Sequence, residues 1–178
     1  MTEVSVPRAA PLIVTATLPD PLQGWAEGLR RAHFPLERNH LRAHVTLFHT
    51  LPPFVEAEAR ALLADLAARE APPPARLDRV MDLGGGTAFA IQSDALLLLR
   101  SEIAEHFHGL LTVQDQHAPR LHVTVQNKVA RADARHLQAT LAATFTPRTF
   151  AFAGLELHRY RGGPWEAAGT WRFRGRAR

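Results

Sequence analysis

Four residues, in two copies of one short string, are the only ones whose types and spacing point to a definite chemistry. His44-Val45-Thr46-Leu47 returns as His122-Val123-Thr124-Val125. With 10 His and 13 Thr in 178 residues, chance alone supplies about 0.7 His-x-Thr strings, so one copy means little and two at matching places mean a good deal. A neutral imidazole takes a proton and an imidazolium gives one. Cleaving a phosphodiester needs both, a base for the nucleophile and an acid for the leaving oxygen, on opposite sides of phosphorus. Two histidines meet that need. Two threonine hydroxyls donate to the non-bridging oxygens, where charge grows in the transition state.

The elements around the strings must hold them apart and aim them inward. On a strand, residues two apart share a face. His44, Thr46 and Phe48 are therefore expected on one side of the first strand and His122, Thr124 and Gln126 on one side of the second, with Val45, Leu47, Val123 and Val125 buried beneath each strand's own helices. The strings belong to a longer internal repeat at a spacing of about 74 to 78 residues. Leu12–Leu18 is a β-rich run, followed by Asp20 as a helix cap and Pro21 at the first helical position. Leu22, Trp25 and Leu29 then recur at helical spacing up to Pro35. In the second half Thr87–Ser93 is the matching strand and Asp94 the matching cap, with Leu96, Leu99, Ile103 and Phe107 on one helical face. After each string comes another helix, marked by Ala59, Leu62, Leu63 and Leu66 in the first half and by Ala134, Leu137, Leu141 and Phe145 in the second. Strands close both halves: 75–83 in the first, and in the second 149–160, where Gly154 suggests a bulge, followed by a last strand through Trp171 and Phe173.

The predicted architecture is α+β: two pseudo-symmetric, antiparallel-rich sheets with helices outside and the active groove between them. The strands are amphipathic, unlike those of a parallel doubly wound sheet. Residues 1–178 are expected to form one bilobal domain, with repeat halves of approximately 10–83 and 84–178.

Composition narrows the field further. Zero cysteines exclude thiol nucleophiles and cysteine-ligated zinc, and no His-Glu-x-x-His string is present. No metal and no cofactor are expected. The longest aliphatic run, Ala95–Leu99, is far short of the roughly 20 residues of a membrane span. Residues 1–10 carry Glu3 and lack the pattern of a secretion signal, so a cytoplasmic, monomeric protein is expected. The formal charge of +4 fits an anionic partner. Arginine supplies nearly all of the basic residues, and a GC-rich genome would produce the same bias.

In its paired His-x-Thr strings, in the lobe repeat and in the closing strands the chain resembles the two-histidine phosphoesterase superfamily, which includes the 2'-5' RNA ligases and cyclic nucleotide phosphodiesterases. The resemblance implies a bilobal α+β fold and metal-independent chemistry on RNA 2',3'-cyclic phosphate ends or 2'-5' linkages. It implies His44 and His122 as the catalytic pair and Thr46 and Thr124 as phosphate-binding residues. Phe48-His49-Thr50 and Gln126-Asn127-Lys128 depart from the usual continuations of the motif.

Other residues carry weaker signals. Phe48 and Gln126, by their predicted face, are candidate substrate contacts. Tyr160, with Arg161 and Trp165, suits stacking on a base and contacting phosphate, or ordinary packing in a hairpin loop. His49 lines the groove or lies on the other face. Arg172, Arg174, Arg176 and Arg178 form either a basic edge or a charged guard against aggregation. The leading functional reading is a metal-independent phosphoesterase whose partner is RNA or a nucleotide with a cyclic phosphate. The alternatives are a cyclic phosphodiesterase for a small nucleotide or ADP-ribose cyclic phosphate, and a non-catalytic RNA-binding module.

Overall fold

A computed structural model describes residues 9–177. The segment 1–8, most of the stretch just read for a secretion signal, and Arg178 lie outside the described residues. The order of elements is β1 (Leu12–Thr17), α1 (Asp20–His33), β2 (Val45–Leu51), α2 (Glu56–Arg69), β3 (Pro74–Asp82), β4 (Thr87–Gln92), α3 (Asp94–His106), β5 (His122–Gln126), α4 (Arg131–Thr144), β6 (Arg148–Ala151), β7 (Gly154–Arg159) and β8 (Glu166–Arg172). All strand pairs are antiparallel, in two four-stranded sheets ordered β2-β1-β7-β8 and β5-β4-β3-β6. This is the α+β architecture expected from the amphipathic strands. Among the described residues no helix is long and apolar enough to cross a membrane.

The sheets do not partition the chain as its repeat does. β3, from the first half, pairs with β4, and β7, from the second half, pairs with β1. The first half thus donates β3 to the other sheet and the second donates β7 and β8, which ties the halves together by hydrogen bonds. Helices cross over as well. The Trp25 ring of α1 packs 4.8 Å from Phe89 of β4, and Arg100 of α3 stacks 4.3 Å from the Phe48 ring of β2. The expectation that each motif strand lies beneath helices of its own half is therefore corrected. Val45, Leu47, Val123 and Val125 are all fully buried in one core that runs through both sheets, and each such side chain contributes about 1.5–3 kcal/mol.

Three local readings change. The cap of α1 is Pro19, with Asp20 already in the first turn. In α3 the cap is Ser93, whose Oγ accepts from the Leu96 amide at 3.2 Å, and not Asp94. The segment 149–160 is two strands in different sheets, so Gly154 marks no bulge. It opens β7 with unbroken register to Thr17 and Arg172, where a Cβ would meet the Trp171 carbonyl oxygen at 2.3 Å.

Candidate active site

β2 and β5 are the edge strands of their sheets, and they approach each other where the sheets meet. Both histidines are half-buried and make the same contact. His44 Nδ1 donates to the Arg42 carbonyl at 2.7 Å, and His122 Nδ1 donates to the Arg120 carbonyl at 2.7 Å. A carbonyl only accepts, so each Nδ1 carries a proton and each Nε2 is left as the free ring nitrogen. The repeat therefore reaches two residues further back than the strings themselves, to Arg42 and Arg120, and this outer arginine went unread in the sequence.

Past each threonine both strands carry a bulge. Thr15 pairs with Thr46 but Val14 pairs with Phe48, and Ala88 pairs with Thr124 but Thr87 pairs with Gln126. One extra residue in each strand breaks the alternation and turns the third residue of the histidine face inward. Phe48 is fully buried under Arg100. Gln126 is buried too, its Oε1 accepting from the Thr87 hydroxyl at 3.0 Å. Both are corrected from substrate contacts to packing residues, for one shared reason. Thr46 and Thr124 precede the bulges and remain half-buried on the histidine face.

Tyr160 is exposed and lies outside the cavities that border the two histidines. From the same hairpin loop it is Trp165 that turns inward, its ring centroid 4.8 Å from His44 and 5.3 Å from His158. His158 Nε2 lies 3.2 Å from the Thr15 hydroxyl and 3.3 Å from Glu156 Oε2. His158 and Glu156 escaped the sequence reading, although Leu155 and Leu157 alternate with them as core residues and already assign both to the opposite face. Glu156, Thr170, Trp165 and Trp171 line a cavity of about 390 Å³ beside His44. A second cavity, of about 240 Å³, takes in Thr46, His49 and His122.

The electrostatics of His44 are distinctive. Burial pushes its pKa down to about 4, and the charges of Arg30, His158 and His122 act in the same direction, outweighing the hydrogen bond to Arg42. The ring is neutral at neutral pH. Glu156 is held below the usual carboxylate range by its hydrogen bond to His158, which prevails over burial. Among the described residues no cluster of three or more His, Asp or Glu is arranged to hold a metal ion.

Two buried arginines brace the motif strands from across the molecule. Arg30 of α1 donates through Nη1 to the Thr124 carbonyl at 2.9 Å. Arg100 of α3 donates to the Leu47 carbonyl at 3.4 Å and to the Asp115 carbonyl. Each half thereby supports the other half's motif. On the His44 side Gln23 and Glu27 of α1 also grip the Ala43 peptide, at 2.9 Å on its carbonyl and 2.7 Å on its amide.

A duplicated lobe carrying one histidine and one threonine on each facing edge strand is the arrangement of the two-histidine phosphoesterases. A sequence model of the 2'-5' RNA ligase superfamily matches residues 18–164, and the chain belongs to that superfamily. No curated protein sequence matches it significantly. Among solved structures it is similar to TT0787 of Thermus thermophilus, with a TM-score of 0.63 and 17% identity over 94% of this chain and 100% of that one. It is also similar to Escherichia coli LigT complexed with 3'-AMP, with a TM-score of 0.56 and 19% identity over 93% and 99% of the two chains. LigT complexed with NADP+ gives a TM-score of 0.57 at 17% identity over 93% and 98%. At these identities the likeness speaks for the fold.

Proposed function

We propose that the protein is a metal-independent phosphoesterase acting on 2',3'-cyclic phosphate ends of RNA or on 2'-5' linkages. The observation that carries the reading is the pair of imidazoles on adjoining edge strands, each locked through Nδ1 to a backbone carbonyl and each offering Nε2. Their unlike surroundings suggest the division of labour. Neutral His44 takes a proton from water through Nε2 while the water oxygen attacks phosphorus. His122, as imidazolium, gives its Nε2 proton to the ring oxygen that departs, and the cyclic ester opens to a phosphomonoester. Thr46 and Thr124 donate to the non-bridging oxygens as charge builds there. Trp165 offers a face for a base. The ligands of the LigT structures, 3'-AMP, ATP and NADP+, support a nucleotide in the groove.

Turnover of a 2',3'-cyclic mononucleotide, and of an oligoribonucleotide ending in the same group, tests the reading in the presence of a chelator. Hydrolysis of both is expected to survive chelation. Activity recovered only on adding a divalent ion overturns the two-histidine mechanism, and binding of RNA without turnover supports the non-catalytic alternative.

A further inference from the structure

The smaller cavity is built from chemistry that the mechanism above does not use. Beside the motif residues Thr46 and His122, it is lined by His49, Gln114, Asp115, His117 and Arg120. Asp115 is almost fully buried. Its carboxylate accepts from the His49 amide at 2.9 and 3.0 Å, the Thr50 amide at 2.9 Å and His49 Nδ1 at 3.0 Å. Burial favours the neutral acid, but the hydrogen bonds from the His49 ring and from the two amides outweigh it and keep Asp115 ionised.

An ionised carboxylate only accepts, so the His49 Nδ1 carries a proton and Nε2 is the free nitrogen of a ring whose side chain is 43% exposed. An anion arriving at Nε2, with Asp115 fixed behind Nδ1, stabilises the imidazolium from both sides. The knot itself is stiff, because Arg100 stacks on Phe48 and donates to the backbone at both Leu47 and Asp115. Nearby, the side chains of Arg120 and His117 are exposed, and none of the described ion pairs uses either of them. Among the described residues the one carboxylate lining this cavity is Asp115, at 2% side-chain exposure. The larger cavity differs, with Glu156 and Asp20 among its walls together with two tryptophans.

The geometry points to a second anion subsite on the His122 side of the groove, in which His49, His117 and Arg120 hold a phosphate of the substrate other than the one being cleaved. The inference rests on the phosphoesterase reading and narrows its substrate class to a nucleotide or oligonucleotide that carries such a phosphate. The phosphate comes either from a 5'-phosphorylated mononucleotide or from the neighbouring linkage of an RNA.

Three substrates separate these sources: a 2',3'-cyclic nucleoside monophosphate, the same compound with a 5'-phosphate, and a dinucleotide ending in a 2',3'-cyclic phosphate. One or both phosphate-bearing substrates are expected to exceed the bare one in kcat/KM by about 10-fold or more, mainly through KM. Whichever gains identifies the source. In His49→Gln and in Arg120→Gln the advantage is expected to shrink to about 3-fold or less, with folding checked by circular dichroism. No advantage in the unaltered protein, or an advantage that both folded variants keep, overturns the subsite. If none of the three substrates turns over, the phosphoesterase reading fails. The subsite is then judged by calorimetry, where adenosine 3',5'-bisphosphate is expected to bind more tightly than adenosine 3'-monophosphate, with the difference lost in both variants. Equal binding of the two nucleotides by the unaltered protein rejects it.

Discussion

The two halves of the site share a backbone and differ in almost everything that surrounds it. Each has an edge strand, a His-Val-Thr string, a bulge after the threonine and an Nδ1 hydrogen bond of 2.7 Å to the carbonyl of an arginine two residues back. On the His44 side the sheet continues through polar side chains, since Thr46 pairs with Thr15, Thr15 with Glu156 and Glu156 with Thr170. Trp165 packs on the histidine. On the His122 side the strand partners are small and apolar: Ala90 lies across from His122 and Ala88 from Thr124, and Met81 joins them in a minor cluster. Duplication supplies the two nitrogens in one geometry, and the flanking side chains make one half aromatic and desolvating and leave the other open toward Arg120 and His49. The difference matters to the proposed mechanism because acid/base work needs a singly protonated pair, and unlike surroundings set which imidazole of that pair gives up its proton.

The comparison breaks most decisively if either histidine is dispensable. His44→Ala and His122→Ala are each expected to lower kcat by about 10²-fold or more. The double variant should be little worse than the poorer single one, since groups that act as a unit are not additive. A folded single variant with near-normal turnover removes that half from the mechanism. The crossed braces come next. Arg30→Met strands the Thr124 carbonyl, and Arg100→Met strands those of Leu47 and Asp115. Each should destabilise the fold by about 2–4 kcal/mol in urea denaturation, and a loss below about 0.5 kcal/mol, the size of an ordinary surface change, argues against the braces. A smaller effect, and one confined to a single half, is expected of Trp165→Ala: a rise in KM of about 10-fold, within the range measured for one base stacked on an aromatic ring, with kcat changed less. An equal rise from Tyr160→Ala would show that the exposed ring contributes as much as the inward one.

What the sequence revealed about this site was whatever local periodicity encodes. The helical stripes through Leu63 and Leu66 or Leu96, Leu99 and Ile103 and the α+β class follow from spacing within a dozen residues, and the paired strings from a repeat that keeps the same local order in both halves. Strand exchange did not, because nothing local in Pro74–Asp82 or Gly154–Arg159 states which sheet the strand will join. Phe48 and Gln126 were misplaced because a bulge is a property of a pair of strands, and perfect alternation is all that one strand shows. Arg30 and Arg100 went unread in the sequence: Arg100 falls four residues after Leu96 and three before Ile103, on the buried stripe of its helix, but only the cross-molecule carbonyls the two arginines reach explain how a charge is buried there. His158 was within reach, since Leu155 and Leu157 set its face, but a single histidine with no repeat partner gave no reason to look.

The proposed role of His44 as the neutral base is tested most directly by kcat/KM for a 2',3'-cyclic nucleotide as a function of pH, in the unaltered protein and in Trp165→Ala. His44 is held down to about 4 chiefly by burial, and in the proposed mechanism its neutral form is the base, so the acid limb of the free-enzyme profile should fall only as pH drops through about 4. The same shift makes the fold lose stability as pH falls from the ordinary histidine value of 6.5 toward about 4, because the unfolded chain binds the proton first. Circular dichroism must therefore accompany each point. Removing the indole from the His44 ring should move the acid limb upward, toward 6.5. A limb already near 6.5 in the folded, unaltered protein, and unmoved by Trp165→Ala, would contradict the account.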